Sequence, residues 1–267
     1  MTIYSKDMTL PDAAREGDNE RVLFLLLQGE DVNTADEYGN TALMQACAYS
    51  RGAIAKTLID YGADVNRQNK WGFDALMLAV SFVRLSSLLF DITNWLLQAG
   101  ANVLSHNQEG DTALSLVASL RHTDIVKLLL DKGADVAARS SDGWTPLITA
   151  ASSRADVIQL LIDRGADVNA NSETRWTAVM QAARFDRVDI IKTLLNCGAD
   201  ASAKNHDGHD ALIIAARHGN LAVLRVLLSL ETDADTKARA ARLALAFVPS
   251  NIYDDVRETL QEVGDLK

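Results

Sequence analysis

Cysteine is scarce in this chain of 267 residues, which contains only Cys47 and Cys197. Cys47 falls in an alanine-rich helical segment and Cys197 at the end of another predicted helix, so a disulfide between them is not expected. Free thiols are typical of reducing compartments, because oxidising ones favour disulfides. We therefore expect an intracellular protein.

Basic residues are also underrepresented. The chain has 26 Lys and Arg against 36 Asp and Glu, which gives a formal net charge of -10 and a pI near 4.9. Nucleic acids and anionic membranes are bound mainly by neutralising phosphates with Lys and Arg, so neither is an expected partner. A protein with a basic or apolar contact surface is the expected partner.

Long hydrophobic runs and targeting segments are missing as well. The apolar run over residues 22–27 is too short to span a bilayer, and no early basic segment precedes an apolar one. The sequence therefore predicts a soluble, cytoplasmic protein.

Catalytic motifs are lacking too. The chain has no phosphate-cradling glycine loop, no G-x-S-x-G elbow and no nucleophile with an identifiable base. We expect no enzyme activity and no cofactor.

A regular series of glycines is the most informative feature that is present. Each follows a leucine-rich helical segment: Gly29, Gly62, Gly100, Gly133, Gly165 and Gly198, at intervals of 33, 38, 33, 32 and 33 residues. Such a period indicates a stack of small units, each unable to bury its apolar face alone. The 32-residue interval indicates a shortened turn at Ser153 and Arg154.

Two sequence motifs recur in phase with these glycines. GADVN and its variants begin at each glycine, and a second motif lies upstream of the helix: GNTALMQACA, GFDALMLAV, GDTALSLVAS, GWTPLITAAS, RWTAVMQAAR and GHDALIIAAR. Together they resemble the ankyrin repeat from about Leu10 to Leu230. The resemblance implies an all-α solenoid of helix-turn-helix units with short β-hairpin fingers, a concave groove, and protein binding as the function.

The repeats predict one domain over residues 1–267. Residues 1–33 form an N-terminal capping repeat, residues 34–230 six further repeats, and residues 231–267 a degenerate C-terminal cap of two amphipathic helices broken at Pro249. Terminal repeats are usually atypical, which is why we interpret the C-terminal segment as a cap rather than a separate domain.

Within each repeat a polar residue is placed to cap the first helix: Thr41, Asp74, Thr112, Thr145, Thr177 and Asp210. Ankyrin repeats commonly carry histidine three residues later, and this chain does not. Its residues there are Met44, Met77, Ser115, Ile148, Met180 and Ile213. We expect mostly apolar contact in place of the histidine's hydrogen bonds.

The third repeat carries an insertion near residues 82–90 that is rich in apolar side chains, among them Val83, Leu85, Leu88, Leu89 and Phe90. One interpretation is a longer helix or a loop that folds back on its own core. The other is an apolar protrusion that contacts a partner or a second copy of the chain.

Aromatic side chains are few but concentrated. Of six Phe, four Trp and five Tyr, eight fall on fingers or first-helix ends in the ankyrin register: Tyr38, Tyr49, Trp71, Phe73, Phe82, Trp144, Trp176 and Phe185. Exposed aromatics are enriched at binding hot spots. The alternative is that neighbouring fingers pack these rings against one another, and both can hold for one ring.

Charged and histidine side chains complete the predicted groove: Glu109, Asp142, Arg184 and His209. The leading hypothesis is a non-catalytic, monomeric protein-binding module that acts as an adaptor, an inhibitor or an immunity-type antagonist. Two alternatives stay open. One is a homo-oligomeric scaffold that associates through residues 83–90. The other is a metal or small-molecule site at His206, His209 and His218, although their spacing matches no zinc pattern.

Overall fold

The computed structural model describes residues 8–81, 88–120, 122–230, 242, 245–248 and 253–264. The chain falls into two compact units, Met1–Asp135 and Val136–Lys267, which we call unit 1 and unit 2. Each unit is a series of short helices in antiparallel pairs, one pair to each repeat. The helix-rich repeat fold predicted from the sequence is confirmed, and the predicted domain boundaries stay a prediction.

Unit 1 contains four helix pairs, the first and second helix of repeats one to four: α1 (Leu10–Glu16), α2 (Asn19–Leu27), α3 (Ala42–Ala48), α4 (Gly52–Asp60), α5 (Ala75–Ser81), α6 (Leu89–Gln98), α7 (Ala113–Ala118) and α8 (Thr123–Asp131). First helices pack against first helices of the neighbouring repeats, and second against second. Each of these helices therefore packs against its partner and against a neighbouring repeat of the same unit.

Unit 2 contains three pairs and one additional helix among its described residues: α9 (Pro146–Ala150), α10 (Ala155–Asp163), α11 (Ala178–Arg184), α12 (Val188–Asn196), α13 (Ala211–His218), α14 (Leu221–Ser229) and α15 (Tyr253–Gly264). Helix α15 packs against α14 and buries Val256 completely. Of the rest of the predicted C-terminal cap, residues 242 and 245–248 are described, and the break at Pro249 lies outside the described residues.

The core of each unit is built from small and branched side chains at helical spacing. Leu43 of α3 and Leu58 of α4 are fully buried in unit 1, and Leu161 and Leu194 are fully buried in unit 2. Buried alanines such as Ala46 let neighbouring helices approach closely. At about 25 cal/mol for each square ångström of apolar surface removed from water, such burial is the main source of stability.

The predicted caps start the first helices. Thr41 Oγ1 accepts a hydrogen bond from the Met44 amide at 3.3 Å, and Asp74 Oδ1 accepts one from the Met77 amide at 2.9 Å. The same bond is made by Thr112, Thr145, Thr177 and Asp210. Each satisfies a backbone donor that the first helical turn leaves unpaired.

The position of the missing histidine is buried in all six repeats. It is not uniformly apolar in its contacts, however. Ser115 Oγ accepts a hydrogen bond from the Thr112 amide at 3.0 Å, and Met44 Sδ lies 3.4 Å from the amide nitrogen of Thr41. In these two repeats the cap residue's own amide therefore keeps an acceptor.

The repeating glycines end the second helices as predicted. Gly62 and Gly165 have φ angles of 82° and 94°, in the left-handed region. No atom outside their immediate neighbours would lie within 4 Å of an added Cβ. The backbone angle, and not crowding, therefore explains glycine at this position.

The insertion in the third repeat is described only at its end. Helix α6 begins at Leu89, which is buried, while Leu88 and Phe90 on either side are exposed. Residues 82–87, with Val83 and Leu85, lie outside the described residues. Elsewhere in the part of the chain that the structure describes, no helix is both long and apolar enough to cross a membrane.

Candidate functional site: the fingers and the groove of unit 1

The loops that precede the first helices are fingers with very little strand. Single antiparallel bridges close three of them, between Ala35 and Thr41, His106 and Thr112, and Asn171 and Thr177. Hydrogen bonds from backbone amides to short polar side chains hold these loops in shape. Asp36 Oδ1 accepts hydrogen bonds from the amides of residues 38 and 40, at 2.9 and 2.8 Å.

The same two-amide bond is made by the asparagines at the corresponding position of three other fingers: Asn69, Asn107 and Asn205. In the remaining two fingers Ser140 and Ser172 accept one amide each, from Trp144 and Trp176 at 3.1 Å. Sequence analysis missed this role, although a short polar residue four positions before Phe73, Trp144 and Trp176 was its visible signal.

In every finger this arrangement defines two positions that differ in exposure. The tip residue lies two positions after the polar anchor, and the predicted site residues there are exposed: Tyr38, Trp71, Glu109 and Asp142. The base residue lies four positions after the anchor, and the site residues there are half-buried or buried: Phe73, Trp144, Trp176 and His209. The predicted aromatics therefore divide into presented rings and packed rings.

Two presented rings lie together in unit 1. The rings of Tyr38 and Trp71 stack with centroids 5.7 Å apart and an interplanar angle of 21°. They are nevertheless 49% and 50% exposed. A hydrogen bond of 3.0 Å from the Lys70 amide to the Tyr38 carbonyl joins the two fingers. Mutual packing and exposure thus coexist in one aromatic pair, which keeps a flat apolar surface in a fixed position.

A groove of about 770 Å³ lies beside this pair, entirely within unit 1. Four predicted site residues line it: Tyr38, Tyr49, Trp71 and Phe73. Ala48 and Ser81, the last residues of α3 and α5, also line it, and their small side chains leave its space unfilled. Tyr49 is 54% exposed at its edge. The volume lies within the ~300–1,000 Å³ range of ligand sites.

One wall of the groove carries a negative charge. Burial opposes ionisation of Asp36, but hydrogen bonds from Asn40, Tyr38 and Gln45 outweigh it and hold the pKa of this carboxyl below its ordinary value. Gln45 donates to Asp36 Oδ2 at 2.9 Å and so ties α3 to its finger.

The groove also has a cationic end, which is lined by Arg15 and Arg51. Arg15 pairs with Asp12 at 3.2 Å, and Arg51 Nε donates to the Arg15 carbonyl at 3.2 Å. The cationic end is therefore partly compensated by the protein itself, whereas the Asp36 wall keeps its charge.

In unit 2 a buried glutamine of the first helix holds one of the packed rings. Trp176 Nε1 donates to Gln181 Oε1 at 3.0 Å, and Gln181 is itself buried. Gln181 occupies the same register in α11 as Gln45 does in α3, so both units use a glutamine to tie a first helix to its finger. Trp144 is half-buried at the base of the preceding finger.

The remaining predicted site residues are Arg184 and Phe185 at the end of α11, His209 at the base of a finger, and Phe82. Phe185 is 49% exposed, and the Arg184 guanidinium carbon lies 5.6 Å from its ring centroid. His209 is only 8% exposed, because its ring meets Phe247 edge to face at 4.7 Å. Burial leaves little of His209 for a partner to contact. Phe82 lies outside the described residues.

The histidines of repeat seven are not arranged around a common point. His206 is exposed on the finger, and His209 is buried beneath it. Among the described residues, no group of three or more His, Cys, Asp or Glu side chains lies close enough to hold a metal ion.

Comparison with protein families identifies the repeat. A model of three ankyrin repeats matches three times, over residues 10–105, 83–172 and 169–239. The chain belongs to the ankyrin-repeat family. Ankyrin repeats mediate protein–protein interactions and are typically non-catalytic, so the predicted family and the general class of function are confirmed.

Individual relatives share parts of this array. YahD of Escherichia coli, named for ankyrin repeats, is 30% identical over 141 residues, which are 52% of this chain and 67% of YahD. The E3 ubiquitin-protein ligase XBAT33 of Arabidopsis thaliana is 34% identical over 149 residues, 47% of this chain and 29% of the ligase. The mouse protein phosphatase 1 regulatory subunit 12A is 39% identical over 64 residues, 24% of this chain and 6% of the subunit. The match thus spans a small part of the two eukaryotic relatives.

Proposed function

We propose that this ankyrin-repeat protein is a non-catalytic binding module whose unit 1 groove takes an apolar segment of a protein partner. The observation that carries the proposal is the stacked pair of Tyr38 and Trp71, half-exposed beside a groove that Ala48 and Ser81 keep open. Exposed aromatic surface costs free energy in water, and a partner's apolar side chains remove that cost.

The aromatic side chains supply enough free energy for a useful complex. Aromatic hot-spot residues contribute about 2 kcal/mol each when a partner buries them, so Tyr38, Tyr49 and Trp71 give roughly 6 kcal/mol. A micromolar complex needs about 8 kcal/mol, which the groove walls and a few hydrogen bonds can complete. Because the anchors Asp36 and Asn69 already hold the finger loops in place, little ordering entropy opposes binding.

Charge favours a partner segment with basic residues beside its apolar ones. Asp36 is ionised in the groove wall, and Glu37 and Glu109 are exposed on the fingers. A Lys or Arg of the partner would meet these carboxylates at the rim, where such contacts mainly set association rate and orientation.

The biological role that we propose is that of an adaptor, an inhibitor or an immunity-type antagonist. Support comes from relatives named as a phosphatase regulatory subunit and a ubiquitin ligase, names that describe proteins acting on other proteins. A cytoplasmic location belongs to the same proposal and is supported by the two free cysteines, of which Cys47 is buried with its thiol pKa raised by that burial.

The test is affinity capture from the source cell with three forms of the chain. Wild type is compared with Ser81→Arg combined with Trp71→Ala, which fills the groove and removes half of the aromatic pair. Arginine is a fair probe here, because Arg184 and Arg217 occupy the same register in α11 and α13. The control is Lys56→Gln on α4, where the corresponding residue of α10 is already Gln159.

We expect the captured amount of at least one protein to fall about tenfold or more with the groove variant, because one or two hot-spot residues are lost. The same protein should be retained by Lys56→Gln. If every captured protein binds the groove variant as well as wild type, the groove is not the binding site. Melting temperatures of all three forms check that they are folded.

A further inference from the structure

One register position of the first helices changes its chemistry along the chain. It lies seven residues after the cap, at Ala48, Ser81, Ser119, Ser152, Arg184 and Arg217. The next position changes with it in unit 2, where Ser153 is followed in the later repeats by Phe185 and His218. The position that keeps the unit 1 groove open therefore presents two arginines in repeats six and seven.

The structure brings these side chains together on the ends of α11 and α13. Arg184, Phe185, Arg217 and His218 are all exposed. Partial burial, and then the charges of Arg184 and Arg217, lower the pKa of His218, so both guanidinium groups lie within electrostatic reach of this imidazole. Asn220 Nδ2 donates to the Arg184 carbonyl at 2.9 Å and so joins the two repeats.

The rest of the cluster fixes the side chains. The Arg184 guanidinium lies 5.6 Å from the Phe185 ring centroid, and Arg217 Nη1 donates to Nδ1 of the buried His209 at 3.3 Å. A guanidinium has donors only, so the imidazole nitrogen must be the acceptor. Each arginine is held by one contact while other N–H groups stay available.

These two arginines differ from two neighbouring arginines in how their charge is compensated. Arg154 and Arg187 of the same unit pair with carboxylates at 2.8 and 3.0 Å. Arg184 and Arg217 make no ion pair with any carboxylate in the described part of the chain. Their neighbour Asp186 lies near the Val223 amide at 3.4 Å. Two exposed guanidinium groups close to one another, without an ion pair among the described residues, form a local positive surface that attracts an anionic ligand.

We propose that Arg184, Arg217 and Phe185 form a docking site in unit 2 for an acidic segment of a protein partner. Carboxylates of the segment pair with the two guanidinium groups, which bind such oxygens in a bidentate manner. An apolar side chain of the segment lies against the exposed part of Phe185. This inference rests on the proposed protein-binding function but concerns a different unit and the opposite charge.

Nucleic acid fits these residues less well. Its affinity depends on many phosphate contacts spread over a basic surface, whereas the cluster offers two arginines and one histidine.

The test is selection from a display library of random short peptides on the full chain. The selected pool is then bound to Arg184→Gln, Arg217→Gln and the control Lys192→Gln. Lys192 is an exposed cation on α12, and Gln159 occupies the same register in α10, so the control removes an equal charge without disturbing the fold. Single peptides are measured by fluorescence anisotropy at low and high salt.

We expect a class of peptides enriched in Asp and Glu with at least one apolar residue. Either arginine variant should weaken their binding about tenfold, equal to about 1.4 kcal/mol, while Lys192→Gln should leave it within twofold. Raising the salt concentration should also weaken it, because exposed charge pairs are screened.

The inference is overturned if no acidic class appears, if that class binds Arg184→Gln and Arg217→Gln as tightly as wild type, or if single-stranded DNA of equal charge binds as well as the peptides. The proposed function is judged separately from the same selection. Peptides that are lost with the unit 1 groove variant and kept by both arginine variants support the groove even when the acidic site fails.

Discussion

Units 1 and 2 share one backbone plan and differ in what a single register position presents. In unit 1 the first helices end in Ala48 and Ser81, and the fingers above them present the stacked rings of Tyr38 and Trp71. In unit 2 repeat five keeps the small Ser152 at the corresponding position, and repeats six and seven carry Arg184 and Arg217. A change from small to cationic at one position thus replaces an open apolar groove by a charged surface, without altering the helices beneath.

The comparison teaches where an ankyrin-repeat protein can vary. Caps, buried leucines and left-handed glycines recur in both units, because each satisfies a local requirement of the helix pair. Finger tips and first-helix ends make no such contribution, so their side chains are available to determine the partner. We therefore expect the two units to respond alike to substitutions in the core and differently to substitutions on the surface.

The largest expected effect concerns the shared core. Leu43 in unit 1 and Leu147 in unit 2 stand two residues after their caps and are buried to 1% or less exposure. Leu43→Ala and Leu147→Ala should each lower the free energy of unfolding by about 2–5 kcal/mol, through lost transfer free energy and a residual cavity. Urea unfolding followed by circular dichroism measures both.

The conservative variants Leu43→Met and Leu147→Met serve as controls and should cost less than ~1.5 kcal/mol, because they keep the volume. A loss below about 1 kcal/mol for one alanine variant beside a loss above 2 for the other would show that the two cores are not equivalent.

The second prediction contrasts a presented ring with a packed one. Trp176→Ala removes a half-buried ring and leaves the buried Gln181 without its 3.0 Å partner, at a cost of about 2–3 kcal/mol. Trp71→Ala loses the stack with Tyr38 and should cost about 1 kcal/mol. Thermal unfolding of both variants gives the comparison, and equal destabilisation would contradict the division into tip and base positions.

The third prediction concerns the two aspartate caps. Asp74 in unit 1 is 1% exposed, and Oδ2 makes no hydrogen bond that the described residues show, whereas Asp210 in unit 2 is half-buried. Burial raises the pKa of Asp74, although the hydrogen bond from the Met77 amide opposes the rise. Asp74→Thr, the residue of four other repeats, should stabilise the chain at pH 7 by about 1 kcal/mol.

The sign of the pH dependence follows from the raised pKa. The folded chain holds the Asp74 proton more tightly than the unfolded chain does, so the protonated carboxyl stabilises the fold. This stabilisation is fully present below the ordinary carboxyl pKa and is lost as the pH rises through the pKa of the folded chain. The advantage of Asp74→Thr should therefore shrink as the pH is lowered. An advantage that is constant with pH, or equal for Asp210→Thr, would contradict the assignment.

The smallest expected effect concerns a finger of unit 2. Arg175 has a φ of 59° at a turn position where the other fingers carry glycine, among them Gly143 at 76°. Arg175→Gly should stabilise the chain by about 0.5 kcal/mol, because glycine adopts this angle without strain. Gly208→Ala is the reverse control, since open space surrounds that residue and only the backbone angle opposes a side chain. Urea unfolding that moves both variants in the same direction would contradict the argument.

The fold could be predicted from the sequence in unusual detail. Thr41 and Asp210 act as caps, and Gly62 and Gly165 end helices, as their motifs indicate. These features depend on contacts within a few residues, which a repeated motif records directly. The anchors Asp36 and Asn69 were equally visible in the sequence but went unnoticed, because short polar residues are common in loops.

The candidate site could be predicted only in part. The register placed Trp71 and Trp176 on fingers alike, yet one is presented and the other packed on Gln181. His209 lies at a similar position and is buried by Phe247, 38 residues further along the chain. No period near 33 residues could indicate that contact, since it joins a repeat to a segment outside the pattern.

The sequence by itself determined the helix pairs, their caps and their ends, because backbone hydrogen bonding and φ angles are decided locally. The tertiary structure decided which aromatic rings meet solvent, where a groove opens and which arginines stand uncompensated. Those properties depend on side chains from adjacent repeats that approach in space, such as Tyr38 and Trp71, or Arg184 and Arg217. The exposure of a side chain and the pairing of its charge depend on all of its neighbours in space, and a linear motif does not specify those neighbours.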